Sequence, residues 1–310
     1  MKAVLVRLLV VAVLAVVLSS CAGRPDIGWP RAEGKHPGPY LLEEVPFYPQ
    51  KAHQCGPAAL AMALNWSGIA ASPRELAGQV FTPSRKGSLQ SAMLAAARRH
   101  GRIACLLAKP ADLIDEIAAG HPVIVLQNLG LSWFPVWHYA VVVGWDATVG
   151  DVILHSGATP FKPTAYATFE RTWARSGFWG LLVLPPSRLP ATAEEADYLA
   201  AVSPLERMGR WKTALMAYRT ALGRWPDSLP ATVGIGVCLY RLGDLAAAEA
   251  HLREAIQQFP RQGVLFNNLA QVLLDQGRRE DALLAVKRAI QFGGPLKAHF
   301  EQTLEEIRNR

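Results

Sequence analysis

The chain has 310 residues, 51% of them hydrophobic and 18% charged; that much apolar surface excludes a disordered protein, and the length exceeds one average domain. The formal net charge of +7 is uneven, with 15 basic and 14 acidic residues in 191–310 and the remaining +6 in 1–190, two of them from Lys2 and Arg7. The rest of the excess is scattered, without the dense Lys/Arg stripe that nucleic-acid binding needs, and a DNA or RNA partner is excluded.

Lys2 and Arg7 form a positive start, and residues 8–18 are an unbroken apolar run. A membrane-spanning helix takes about 20 apolar residues, so the run is short for that role and suits the core of a signal peptide. Leu18-Ser19-Ser20-Cys21 follows it, and the whole resembles the bacterial lipoprotein signal. The resemblance implies a signal peptide at 1–20, acylation of Cys21 and a membrane anchor made of its acyl chains, such as palmitate. Ala22 in the next position implies sorting to the outer membrane, facing the periplasm. An ordinary cleaved signal or an uncleaved anchor is the alternative. Residues 21–40, rich in Gly, Pro and charge without a period, read as a tether.

Residues 41–185 read as one α+β unit. Helical stretches are expected at 56–67, 73–80, 89–100 and 111–119, and strands, rich in β-branched or aromatic residues, at 123–127, 139–145, 152–155 and 179–184. Helices followed by neighbouring strands suggest an antiparallel sheet. Residues 186–193, with Pro185, Pro186 and Pro190 in or beside them, read as a linker.

Beyond the linker the sequence repeats itself. Gly209, Gly243 and Gly277 are spaced by 34 residues, and in the same register fall Ala214, Ala248 and Ala282, then Tyr218, Leu252 and Val286, then Ala221, Ala255 and Ala289. Pro226 and Pro260 close two units, and Gly294 stands where the third would have its proline. The physical reading is two antiparallel helices per unit, with a glycine turn between them, small residues where they approach and a proline after the second. The pattern resembles the tetratricopeptide repeat. Three repeats and a terminal capping helix would then fill 194–310 as an all-α solenoid, with a protein partner in its groove.

Chemistry points to Cys55. Cys55-Gly56-Pro57-Ala58-Ala59-Leu60 begins a helix, where unpaired N–H groups and the positive end of the helix dipole favour thiolate. Gly56 leaves room beside the sulfur for a substrate backbone. Cys105 and Cys238 neither open a helix nor precede a glycine, and read as buried packing cysteines. With Cys21 acylated, three cysteines remain, too few for a disulfide framework. His138, starting the strand His138-Tyr139-Ala140-Val141-Val142-Val143, is the candidate base.

Gln50, Cys55-Gly56 and His138 together resemble the papain-like, bacteriocin-processing double-glycine peptidases over about 45–184. That resemblance implies a papain-like fold, Cys55 as nucleophile, His138 as base and Gln50 as an oxyanion donor. Gln50 precedes Cys55 by five residues where the family has about six. A third member, Asp or Asn, is expected at the end of the next strand, where His155 stands instead. Asp151, which looks like a turn residue, and the more distant Asp146 are the other candidates.

These residues point to a cysteine peptidase acting on a peptide or protein through a thioester. The alternatives are a cell-wall amidase or acyltransferase on the same site, or a catalytically weak, peptide-binding scaffold. Metal-ligand and phosphate-loop patterns are absent from the sequence, and neither metal nor cofactor is expected.

Overall fold

The computed structural model describes residues 36, 38–50 and 53–309; the expected signal peptide, Cys21 and most of the tether lie outside the described residues. In chain order the first unit comprises β1 (Tyr40–Leu41), α1 (Cys55–Trp66), α2 (Pro73–Val80), a short pair β2 (Phe81–Thr82) and β3 (Gly87–Ser88), α3 (Gln90–Arg99), β4 (Ile103–Leu106) and α4 (Asp112–Ala118). It continues through β5 (Val123–Asn128), β6 (Trp137–Asp146), β7 (Asp151–Ser156), β8 (Thr159–Ala165), α5 (Tyr166–Ala174) and β9 (Gly180–Leu184). The four expected helices and four expected strands appear within two residues of their anticipated ends. Local signals explain this: Ser72 caps α2 in a capping box with Glu75, and Pro73 opens the same helix.

Three longer elements escaped the sequence reading, as did the two-residue strands β1, β2 and β3. β4 is four residues of Ile-Ala-Cys-Leu with no alternation to announce a strand. β8 carries Pro160 and Pro163, which argue against a central strand, but it is the outer strand beside β7, where a missing N–H costs no ladder bond. α5 follows directly from it. The sheet runs β4-β9-β5-β6-β7-β8, with β1 added to β6 at Tyr40↔Trp145 and Leu41↔Gly144. Every pairing in it is antiparallel. The central strands are buried almost throughout, and α1, buried from Gly56 to Leu64, packs against β6.

The second unit is seven helices: α6 (Glu195–Arg207), α7 (Trp211–Arg224), α8 (Leu229–Arg241), α9 (Leu245–Gln258), α10 (Gly263–Asp275), α11 (Arg279–Phe292) and α12 (Lys297–Asn309). Gly209, Gly243 and Gly277 lie between the paired helices with φ of 68°, 80° and 77°. Each closes the preceding helix alike: the N–H of the next residue reaches back to Leu205, Leu239 or Leu273, a left-handed cap that glycine adopts without strain. Ala214, Ala248, Ala282, Ala221 and Ala289 are buried, as are Leu252 and Val286. The α11 helix ends at Gly293 and Gly294, both with positive φ, in place of the proline that follows α7 and α9.

The stretch between the units is not a free linker. Glu116, buried near the end of α4, accepts from Ala191 N (3.1 Å), Thr192 N (2.9 Å), Thr192 Oγ1 (2.7 Å) and His121 Nδ1 (2.7 Å). Burial would raise its carboxyl; the hydrogen bonds from His121, Thr192 and Ala191 outweigh that and hold it below the usual range. Arg224 donates to Pro190 O and Ala191 O, Thr220 to Pro186 O, and Arg188 lies over the Trp66 ring. The prolines that mark this stretch as a linker carry no N–H, yet carbonyls in it are what Arg224 and Thr220 bind.

At this junction α6 packs on β4 around a cavity of about 280 Å³ lined by Cys105, Arg98, Leu182 and Tyr198 among others. Likewise the end of the tether is docked: His36 Nε2 meets Asp115 Oδ1 at 2.5 Å, and Tyr40 is already in the sheet. Among the described residues no helix is long and apolar enough to cross a membrane.

Candidate active site

Cys55 is the first residue of α1, half-buried, with its Gln54 cap making no side-chain bond and with no acidic residue in the first turn. The helix dipole therefore meets the sulfur without a competing carboxylate. Gly56 is required for a different reason from the expected one. A Cβ there would stand 2.4 Å from Ser88 Oγ and 2.6 Å from Ser88 Cβ, so the space is filled by β3 and is not open to a substrate. Ser88 Oγ is buried without a hydrogen-bond partner, and Ser88 O accepts from the Tyr139 hydroxyl at 3.1 Å. Burial first, and the nearby Cys55 charge second, push the Tyr139 phenol up.

Gln50 is fixed from both sides. Its backbone N–H donates to Gly157 O (2.9 Å), its Oε1 accepts from Gly157 N (2.8 Å) and its Nε2 donates to Tyr139 O (3.0 Å). A side-chain amide has two N–H bonds; one is spent on Tyr139 and one remains. Gln50 thus ties the residue after His138 to the residue after Ser156.

His138 is the second residue of β6, paired with Gln127 of β5. Its Nε2 lies 2.9 Å from Ser156 Oγ, at the end of β7. With Nε2–H donating to that hydroxyl, Nδ1 keeps the lone pair that takes a proton. Burial first, and the positive charge of Lys162 second, lower the His138 pKa, which favours the neutral base. No hydrogen bond joins Cys55 Sγ to the His138 ring among the described residues; such contacts often tighten only when substrate is bound.

The third position is corrected by strand alternation. His155 pairs with Val141, and successive side chains of a strand face opposite ways, so His155 points away from the side that Ser156 presents to His138. Both its nitrogens are occupied, Nε2 by Val45 O (3.0 Å) and Nδ1 by Phe161 N (3.1 Å), between the rings of Phe47 and Phe161. It is a buried structural histidine. Asp151 begins β7 opposite Asp146, at the far end of the β6–β7 pair from His138. Neither aspartate reaches the site. Ser156 was missed because a carboxylate or amide was sought; the signal for it was the count of alternating positions along β7.

The comparisons follow this geometry. Residues 42–180 match the model of the peptidase C39-like family. Residues 42–180 are a peptidase C39-like domain. A tetratricopeptide-repeat model matches 199–262, so the chain joins that domain to repeats. Among solved structures, a putative C39-like peptidase from Bacillus anthracis is similar at 18% identity over 47% of this chain and 97% of that one, with a TM-score of 0.40. The type III secretion translocator chaperone SycD of Yersinia enterocolitica is similar at 16% identity over 36% of this chain and 88% of that one, with a TM-score of 0.33. The TPR2B domain of yeast Sti1, in a pHsp70 complex, is similar at 17% identity over 35% of this chain and 90% of that one, with a TM-score of 0.33. No curated protein matches the chain.

Within the peptidase C39-like domain the other cysteine is chemically quiet. Burial, followed by the charge of Glu116, pushes the Cys105 thiol up to about 12, and burial with Glu206 does the same to Cys238 in the repeats. Cys55, Cys105 and Cys238 are all free thiols. Among the described cysteines only Cys55 combines a helix N-terminus with solvent access.

Proposed function

We propose that this chain is a thiol-dependent peptidase of the bacterial envelope, anchored through acyl chains on Cys21 at the outer membrane and facing the periplasm. In this reading Cys55 Sγ attacks the scissile carbonyl carbon while His138 Nδ1 takes the thiol proton. The oxyanion is met by the Cys55 backbone N–H and the free N–H of Gln50, each donor contributing about 3 kcal/mol. Collapse of the tetrahedral adduct breaks the C–N bond, and the His138 proton goes to the leaving amine. Water, deprotonated by the same ring, then resolves the thioester and returns the thiol. The repeats recruit a protein or peptide partner.

The observation carrying this reading is the convergence on one end of the β6–β7 pair: Gln50 bridges Tyr139 and Gly157 while Ser156 orients His138, and the Tyr139 hydroxyl donates to Ser88 O, whose side chain lies against Gly56 beside Cys55. The test is intact mass of the full chain after brief exposure to a cysteine-reactive electrophile near neutral pH, for wild type, Cys55→Ala and His138→Ala. Fast single labelling lost in both variants is expected. Slow labelling that His138→Ala leaves unchanged would overturn the proposal.

One observation favours a second reading, a peptide-binding module with little catalysis. Ser156 is neutral, so it orients His138 without stabilising the imidazolium as a carboxylate would. Ser156→Asp separates the two readings: in a working enzyme it raises the labelling rate, and in a binding module it changes nothing.

A further inference from the structure

Between β5 and β6 the chain projects as a hairpin whose apolar side chains face water. Leu129, Leu131, Trp133, Phe134, Val136 and Trp137 are 51%, 52%, 80%, 67%, 49% and 51% exposed. Residues 129–137 contain no charged side chain. Val136 and Trp137 are consecutive residues of an extended segment and face opposite ways, while the Trp133 and Phe134 rings stand 6.4 Å apart at the turn. Both sides of the hairpin are therefore apolar and outward, which makes it a wedge and not the wall of a groove.

Much of its backbone is hydrogen-bonded on either side of the Ser132–Trp133 tip. Leu129 N donates to Val136 O (2.9 Å), Leu131 N to Phe134 O and Phe134 N to Leu131 O (both 3.1 Å). Asn128 Oδ1 accepts from Gly130 N (3.0 Å) and Val136 N (2.9 Å), and Arg175 Nη1 donates to Gly130 O (2.5 Å) and Asn128 O (3.3 Å). For the groups they join, these bonds lower the penalty that keeps irregular backbone out of hydrocarbon. Tryptophan favours the bilayer interface, where its ring is apolar and its N–H stays wet. The charged side chain at the base of the hairpin, Arg175, is a cation, as anionic headgroups require.

We propose that the 129–137 hairpin inserts its tip into the interfacial layer of a phospholipid bilayer, seating the His138 end of the sheet against the membrane. The apolar class of ligand is shared with a hydrophobic peptide or a second copy of the chain; the two-sided exposure and the internally bonded backbone favour lipid. An anchor at Cys21 permits the contact. His36 lies beside β1, at the opposite end of β6. The ten residues of β6 span ~33 Å, and the tether from Cys21 to His36 reaches up to ~50 Å. The inference does not depend on Cys55 being reactive.

The test uses the full chain with Trp29→Phe, which silences the tether indole, in phosphatidylethanolamine–phosphatidylglycerol vesicles with brominated acyl chains. Bromine quenches only indoles in contact with lipid. Quenching relative to unbrominated vesicles is expected, and it should fall at least twofold in Trp133→Phe/Trp137→Phe, which keeps the hairpin apolar and folded. Quenching equal in parent and variant would overturn the proposal. So would emission that shifts with protein concentration and is indifferent to bromine, which would assign the hairpin to self-association. Repeating the measurement with Cys55→Ala, expected to leave quenching unchanged, keeps failure here distinct from failure of the catalytic reading.

Discussion

The repeats and the peptidase C39-like domain use the same kinds of residue at different sequence distances. In the repeats, the Gly243 N–H donates to Tyr240 O and the Asp244 N–H to Leu239 O, closing α8, and Ala248 is buried one turn into the next helix. Each residue's job is settled within its own 34-residue unit and the one next to it. In the peptidase domain Gln50 meets Tyr139 and Gly157, and His138 meets Ser156, so the site exists only when distant segments dock. A local pattern tolerates only like-for-like change at each position; a long-range site depends on a few strands keeping their register.

The largest expected effect tests whether the long-range site works at all. Cys55→Ala should abolish electrophile labelling and peptidase activity while leaving the melting temperature close to that of wild type, since alanine also starts α1 well. Persistent labelling would place reactivity on Cys21, Cys105 or Cys238 and break the assignment. His138→Ala should slow labelling by about 100-fold or more, the usual contribution of a positioned base.

Stability measurements address the junction and the repeats. Glu116→Ala leaves the part-buried N–H groups of Ala191 and Thr192 without their carboxylate partner, and denaturant unfolding should show a loss of about 2 kcal/mol, with faster proteolytic cleavage in 186–193. Its depressed carboxyl pKa gives stability that is present above the unfolded carboxylate pKa and lost as pH falls through the folded value. The Glu116 variants should therefore lose part of the acid sensitivity of wild type. Ala248→Leu should cost ~1–3 kcal/mol by overpacking α9 against its neighbours. Loss of cysteine labelling in that variant would show the two halves to be coupled more tightly than their separate cores suggest.

The smallest effect concerns pH. Burial and Lys162 lower the His138 pKa, so the acid limb of labelling should lie below the ordinary histidine value, the rate falling as the ring protonates. Lys162→Ala removes one cause and should move that limb to higher pH; a limb that stays put would mean another group titrates.

Local rules made much of this molecule legible in the sequence. Capping residues, β-branched runs and a fixed 34-residue period act over a few residues, so helices, central strands and repeats could be read with their approximate ends, as could Cys55 at a helix start. Tertiary structure decided the rest. Edge placement made a strand of the proline-bearing β8. The register of β6 against β7 put Ser156, not His155, on His138, and Glu116 turned an apparent linker into a fixed joint. Each depends on which distant segments pack together, and no window of neighbouring residues contains that information.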